Sequence, residues 1–163
     1  MLVLRKRATI IPISVTIAFL VAAGAVWVVT SNPSKATQCH MMISLINKGS
    51  SRIDQYQGKA LMKNQLASEL NKVSQELAVV NLSDPYLQEW QNQFVNVFQT
   101  LGQAIENAGK ALDSAKKAEL TPRGRVKVEK AKPEIEANGK TAIAAATQAD
   151  LLAGKLNQYC SQP

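Results

Sequence analysis

The strongest constraint on this chain is a run of 23 residues without a charged side chain, Ala8–Thr30, directly after the basic triplet Arg5–Arg7. At a rise of about 1.5 Å per residue, a helix of this length crosses a hydrocarbon core of roughly 30 Å. The sequence therefore predicts a single transmembrane anchor at residues 8–30, preceded by a short basic segment at residues 1–7.

The basic triplet also predicts the orientation of this anchor. Lys and Arg next to a transmembrane helix stay on the cytoplasmic side, and Trp27 lies near the opposite end, where aromatic rings favour the membrane interface. We therefore expect a single-pass protein of an inner or thylakoid membrane, with a cytoplasmic N-terminus. Residues 31–163 would then lie in the periplasm or the lumen.

A cleaved signal peptide is the alternative interpretation of the same run, with the small residues Ala23–Ala25 as its cleavage site. Against this interpretation, Val26–Val29 continue the apolar run beyond that site. A lipoprotein is disfavoured because Cys39 follows the polar residue Gln38 and not the apolar end of a signal. In each case the residues from 31 onward leave the cytoplasm.

The exported part of the chain has the composition of a helical domain. Aromatic residues make up only 5% of the chain, while Ala, Leu, Lys, Gln and Glu are abundant. These abundant residues favour helices, whereas strands depend on β-branched and aromatic side chains. We expect one all-α antiparallel helical bundle at residues 37–160, after a linker at 31–36 and before a tail at 161–163.

Apolar residues recur every three or four positions in the second half of the chain, which is typical of one helical face. Asp84 and Pro85 offer a cap and a first-turn proline for a helix of about 35 residues. Thr121 and Pro122 restart the pattern in a last helix with heptad spacing. We expect Pro133 to kink this helix without ending it. The predicted buried faces are Leu87, Trp90, Phe94, Val97, Leu101, Ile105, Ala108, Leu112 and Ala115 in the first of these helices and Val128, Ala131, Ile135, Ala142, Ala145, Ala149, Leu152, Leu156 and Tyr159 in the second.

The stretch from Lys35 to Val80 has two interpretations. A helix should begin near Lys35, but the polar, glycine-bearing segments Asn47–Ser51 and Gln55–Gly58 interrupt the pattern. The stretch is either one interrupted helix, which gives three long helices, or two helices with a turn, which gives four passes. The clearest part of the pattern is Met62, Leu66, Leu70, Val73, Leu77 and Val80 on one face.

Two cysteines, Cys39 and Cys160, stand near the two ends of the predicted domain. Exported compartments oxidise thiols, so we expect a disulfide, with free thiols or an intermolecular bridge as the alternative. A disulfide needs the two Cα atoms within about 7 Å. Four antiparallel passes bring both cysteines to one end of the bundle, whereas three leave them at opposite ends. The cysteines therefore favour four passes, although the unequal helix lengths favour three.

Seven cations in residues 116–132 form a basic patch, interrupted only by Glu119 and Glu129. Clustered cations attract anions, so anionic lipid, an envelope polyanion or an acidic partner is a candidate ligand; a solvated turn is the alternative. Nucleic acid is not expected, because no aromatic residues are interleaved for base stacking. The basic patch consists of Lys116, Lys117, Arg123, Arg125, Lys127, Lys130 and Lys132.

The segment Cys39, His40, Met41 and Met42 carries the soft ligands that suit copper or a haem axial position. In a helix, however, only Cys39 and Met42 share a face, so we expect no metal or other cofactor there. His40 is the only histidine, and no nucleophile motif accompanies it, so no enzymatic activity is expected. The predicted function is a membrane-anchored interaction or scaffold protein that binds a partner protein, with a metal- or small-ligand-binding bundle as the alternative.

Overall fold

The computed structural model describes residues 33–56 and 63–162, and in this part of the chain it contains helices and no strands. Helix α1 spans Lys35–Tyr56, α2 spans Lys63–Ala78, α3 spans Pro85–Lys116 and α4 spans Pro122–Cys160. The predicted all-helical class is thus confirmed. The predicted anchor at residues 8–30 lies outside the described residues, and none of the four helices combines the length and apolarity that crossing a bilayer requires.

The region with two interpretations forms two helices, because α1 ends at Tyr56 and α2 begins at Lys63. The segment Asn47–Ser51, which interrupts the helical pattern in the sequence, lies inside α1. Gly49 is buried there against the ring of Phe98, and a Cβ atom on Gly49 would lie 2.6 Å from the Phe98 Cζ atom. The glycine therefore permits close helix packing and does not mark a turn.

The starts of α3 and α4 follow the predicted capping residues. The Asp84 Oδ1 atom accepts hydrogen bonds from the backbone N–H groups of Tyr86 at 3.0 Å and Leu87 at 3.1 Å. The Thr121 Oγ1 atom accepts one from the backbone N–H of Gly124 at 3.1 Å. Each cap satisfies donors that the first helical turn leaves free. Helix α4 continues through Pro133, as predicted.

Contacts between the helices show that chain neighbours run antiparallel. Lys48 pairs with Glu76 at 2.6 Å and Arg52 pairs with Glu69 at 3.5 Å, so α2 runs back along α1. The Ser74 hydroxyl donates to the backbone carbonyl of Val95 at 3.3 Å and the Gln91 amide donates to that of Leu77 at 2.6 Å, so α3 runs back along α2. The core between the helices contains Cys39, Met42, Ile46, Leu70, Val73, Leu77, Leu82, Leu87, Phe94, Val97, Phe98, Leu101, Ala145, Leu152 and Leu156.

Helices α3 and α4 are much longer than the other two, with 32 and 39 residues against 22 in α1 and 16 in α2. The residues packed in the core extend only to Ile105 on α3 and Ala142 on α4. Beyond these positions the two helices continue as a distal hairpin (residues 106–141), whose interface is closed by small buried residues such as Ala111 and Ala131.

Val128 was predicted in the buried face of α4, and this prediction is wrong because its side chain is 46% exposed. The heptad spacing identified the phase of α4 correctly at Ala131, which is buried. In the distal hairpin, however, α4 has fewer neighbouring helices than in the core, so a side chain at the margin of the apolar stripe stays in solvent.

Candidate interaction surfaces

Cys39 and Cys160 form a disulfide, with their Cα atoms 5.8 Å apart although 121 residues separate them in sequence. This separation agrees with the sequence argument, in which an even number of passes brings the two cysteines together. The bridge joins the beginning of α1 to the last residue of α4. We call this end of the domain the disulfide pole.

Buried Gln38 organises the disulfide pole and was not predicted from the sequence. Its Nε2 atom donates to the carbonyl oxygen of Pro33 at 2.7 Å and to the Ser83 hydroxyl at 2.9 Å. Its Oε1 atom accepts from the backbone N–H groups of Ser83 at 2.7 Å and Asp84 at 3.1 Å. One side chain therefore fixes the connection between α2 and α3 against the start of α1. A buried amide needs such partners to offset its desolvation.

An aromatic cluster lies beside this network. The Trp90 ring meets the Tyr159 ring edge-on at 5.2 Å between centroids, and Tyr86 lies 5.6 Å from Tyr159. The Lys35 Nζ atom lies 4.2 Å from the centroid of the Tyr159 ring, where the negative face of the ring attracts a cation. Phe94, which was predicted in the core, is buried, and so is Phe98, whereas Trp90, which was also predicted there, is half-buried at the edge of this cluster.

The Tyr159 hydroxyl donates to the Asp84 Oδ2 atom at 2.7 Å. Burial alone would raise the pKa of Asp84, but the hydrogen bonds from Tyr159 and from two backbone N–H groups outweigh it and lower this pKa overall. The same hydrogen bond to Asp84, followed by burial, raises the pKa of the Tyr159 hydroxyl. The pair is therefore most stable with Asp84 ionised and Tyr159 protonated.

The four candidate metal ligands do not converge on one point. Cys39 is consumed by the disulfide, Met42 is fully buried, Met41 is half-buried and His40 is exposed. Within the described residues, no group of three His, Cys, Asp or Glu side chains is placed to hold a metal ion. The helical geometry of α1 thus separates these four side chains.

The basic patch lies at the other end of the domain from the disulfide, around the turn between α3 and α4. All seven of its side chains are exposed, and none forms an ion pair with another described residue. Ion pairs elsewhere in the described domain include those of Glu69, Glu76, Glu106 and Glu136, all outside the patch. The positive charge of the patch is therefore not neutralised within the described domain.

Three aliphatic side chains are exposed within the same region, which we call the hairpin tip (residues 116–132). Leu120 is fully exposed in the turn, and Val126 and Val128 are exposed on the first turns of α4. The turn itself is tight, because a Cβ atom on Gly124 would collide with the backbone carbonyl of Glu119. The positive charges of this region were predicted from the sequence, but its exposed apolar side chains were not.

A second apolar surface lies on the outer side of α4, nearer the disulfide pole. Ile143 and Leu151 are 69% and 65% exposed, and they are eight residues apart. Thr147 lies between them, and its hydroxyl donates to the backbone carbonyl of Ile143 at 3.0 Å. Residues at spacing i, i+4 and i+8 form one ridge on a helix. We call Ile143, Thr147 and Leu151 the α4 ridge.

Comparison with known proteins gives no match. No protein-family model fits the sequence, and no curated protein and no solved structure matches the chain. The surfaces and chemistry of the described residues are therefore the basis for a functional proposal.

Proposed function

We propose that this protein is a non-enzymatic interaction or scaffold protein, anchored by residues 8–30 in an inner or thylakoid membrane. Its four-helix domain, in the periplasm or the lumen, would bind a partner protein. The observation that carries this proposal is the α4 ridge, where Ile143 and Leu151 are largely exposed. By contrast α3, which is of similar length, exposes a single large apolar side chain, Tyr86.

The chemistry of the α4 ridge suits packing against another helix. Its two aliphatic side chains offer apolar area whose removal from water is worth about 25 cal/mol per Å². Thr147 adds no unsatisfied hydroxyl group, because its Oγ1 atom is already bonded inside α4. Ridges of this spacing fit into the grooves of a facing helix. A helix of a partner protein is therefore the proposed occupant.

The disulfide supports the proposed compartment. Disulfides persist in oxidising compartments such as the periplasm and are rare in the cytosol. The bond between Cys39 and Cys160 therefore favours export of the domain, in the direction that the basic triplet Arg5–Arg7 predicts. The chain also enters the domain at Pro33, next to the end of the apolar run Ala8–Thr30.

A metal- or small-ligand-binding bundle was the alternative function, and no observation favours it. Its softest ligand, the Cys39 thiolate, is used in the disulfide, and Met42 points into the core. Metal analysis of the purified protein checks this point. Copper or haem at one equivalent per chain would restore the alternative.

The anchor and its orientation are tested by protease protection. Protease added to the outside of spheroplasts should digest the domain and leave the anchor in the membrane pellet. Release of an intact 138-residue product that begins at Val26 would instead favour a cleaved signal peptide.

The α4 ridge is tested by photo-crosslinking in native membranes. A photoreactive amino acid at Thr147 should give a discrete adduct with one partner protein, and the double substitution Ile143→Asp/Leu151→Asp should abolish that adduct. Val79→Asp is the matched control, because Val79 is 81% exposed and lies outside α4. An adduct that survives the double substitution, or one that Val79→Asp also removes, would contradict a partner site on the ridge.

A further inference from the structure

The hairpin tip is the part of the domain most distant from the point where the chain enters it. Pro33 lies at the disulfide pole, where its carbonyl oxygen accepts a hydrogen bond from Gln38. Helix α4 begins at the hairpin tip and ends at Cys160, and its 39 residues span about 58 Å. Whatever the tip binds is therefore well separated from the residues that join the domain to the predicted anchor.

The cations of the hairpin tip surround α4 and do not mark a single face. Arg123 and Lys130 are seven residues apart, close to two full turns, so they share one side of the helix. Arg125 and Lys132 have the same spacing and share another side. Because two residues rotate a helix by about 200°, these two sides are nearly opposite. Lys116 and Lys117 add positive charge from the end of α3.

The exposed aliphatic side chains lie among these cations. Leu120 occupies the turn, beyond the ends of both helices, and Val126 and Val128 follow within the first two turns of α4. Exposed aliphatic side chains surrounded by Lys and Arg are typical of protein segments that enter a membrane interface. There the cations meet lipid phosphates and the aliphatic groups reach the acyl boundary.

We propose that the hairpin tip docks end-on into an anionic phospholipid bilayer. A bilayer presents phosphate groups on every side of an inserted tip, which matches cations on opposite sides of α4. An acidic protein would have to place carboxylates around the whole tip and also bury Leu120. The tip and Pro33 lie at opposite ends of the domain. The bilayer in this proposal is one other than the membrane that holds the anchor, a point that rests on the anchor in the proposed function.

The experiment uses the full chain in nanodiscs of phosphatidylcholine, mixed with sucrose-loaded vesicles that can be pelleted. Vesicles that contain phosphatidylglycerol should pellet the nanodiscs, and vesicles of pure phosphatidylcholine should not. Capture should weaken as salt is raised, because salt screens the attraction between cations and phosphates. Equal capture by the two kinds of vesicle would overturn the proposal.

Matched variants assign the capture to the tip. Arg123→Gln/Arg125→Gln should weaken partitioning onto the vesicles about 30-fold, because each cation contributes a factor of about five to six. Lys140→Gln/Lys155→Gln removes the same charge from exposed positions of α4 outside the tip and should have little effect. Leu120→Gln should also weaken capture, whereas Leu151→Gln on the α4 ridge should not. All these side chains are exposed, so the fold should persist. Equal losses in the tip variant and its control would contradict the assignment.

Insertion is measured with Leu120→Trp and brominated lipids in the added vesicles only. Bromine quenches a tryptophan that reaches the acyl boundary, and Trp90 is distant from the tip, at the disulfide pole. Quenching in this variant, beyond that of the unmodified chain, is the expected result. Capture without quenching would show that Leu120 does not reach the acyl boundary and would overturn insertion of the tip into the bilayer.

The outcomes separate this proposal from the proposed function. A chain that does not enter nanodiscs contradicts the anchor, and the tip variants are then compared by pelleting the free chain with the same vesicles. A chain that enters nanodiscs but is not captured through the tip contradicts the bilayer contact alone. Photo-crosslinking at Thr147 is independent of both results.

Discussion

The Tyr159 hydroxyl donates a 2.7 Å hydrogen bond to the Asp84 carboxylate, although 75 residues separate the two in sequence. The other oxygen of the same carboxylate caps α3 through the backbone N–H groups of Tyr86 and Leu87. One carboxylate therefore joins the end of α4 to the start of α3, next to the disulfide. This contact acts in addition to the covalent bond, because it holds α3, which the disulfide does not reach.

This pairing predicts a dependence of stability on pH. The pKa of Asp84 is lower in the folded state than its ordinary value, so its contribution is present above about pH 4 and is lost as the pH falls through the folded pKa. Asp84→Asn keeps a good helix cap but removes the titrating group. Thermal melts followed by circular dichroism should show a smaller acid-induced fall in Tm for Asp84→Asn than for the natural chain. Parallel falls would contradict this account.

The residues that sequence reasoning placed correctly are those governed by local rules. Asp84, Pro85, Thr121 and Pro122 start helices because capping depends on a few adjacent residues. The predicted cysteine pairing also holds, because the even number of passes leaves the two chain ends of the bundle side by side.

The residues that sequence reasoning missed depend on contacts between distant segments. Gln38 looked like an ordinary polar helix residue, yet it is buried because Ser83 and Asp84 supply its hydrogen-bond partners. Gly49 resembled a turn signal, and only the ring of Phe98 explains it. The hairpin tip extends beyond the core because α3 and α4 are longer than α1 and α2. The lengths of the two shorter helices depend on where α1 ends and α2 begins.

The contact of Gly49 with Phe98 predicts an unusual effect of alanine. A Cβ atom at position 49 would lie 2.6 Å from Phe98 Cζ, and such overpacking costs about 1–3 kcal/mol. This cost exceeds the gain of about 1 kcal/mol that alanine brings to a helix interior. Gly49→Ala should therefore lower the free energy of unfolding in urea.

Gly154→Ala is the matched control for this prediction, because nothing lies within 4 Å of a Cβ atom at that position in α4. It should raise the free energy of unfolding by up to about 1 kcal/mol. The opposite signs distinguish packing from helix propensity. A stabilising Gly49→Ala would show that the close contact with Phe98 is wrong.

Leu101 on α3 and Leu152 on α4 are both buried in the core, as the periodicity predicted. Leu101→Asp or Leu152→Asp would bury a carboxylate without a partner, which costs several kcal/mol and should unfold the bundle. Lys110→Gln breaks only an exposed ion pair with Glu106 and should change stability by less than about 1 kcal/mol. Circular dichroism melts measure all three variants, and an unchanged Tm in Leu101→Asp would contradict the packing of α3.

The disulfide predicts a large change in stability. Chain-entropy models assign roughly 4 kcal/mol or more to a bridge that closes a loop this long, since Cys39 and Cys160 have a sequence separation of 121. Cys39→Ser/Cys160→Ser should therefore lower the urea midpoint strongly without changing the helical spectrum of the folded protein, because the core of α1 to α4 stays in place. Non-reducing peptide mapping of the natural chain should first show one peptide that joins the two cysteines. Two free thiols by mass would contradict the bridge and remove the main support for an exported domain.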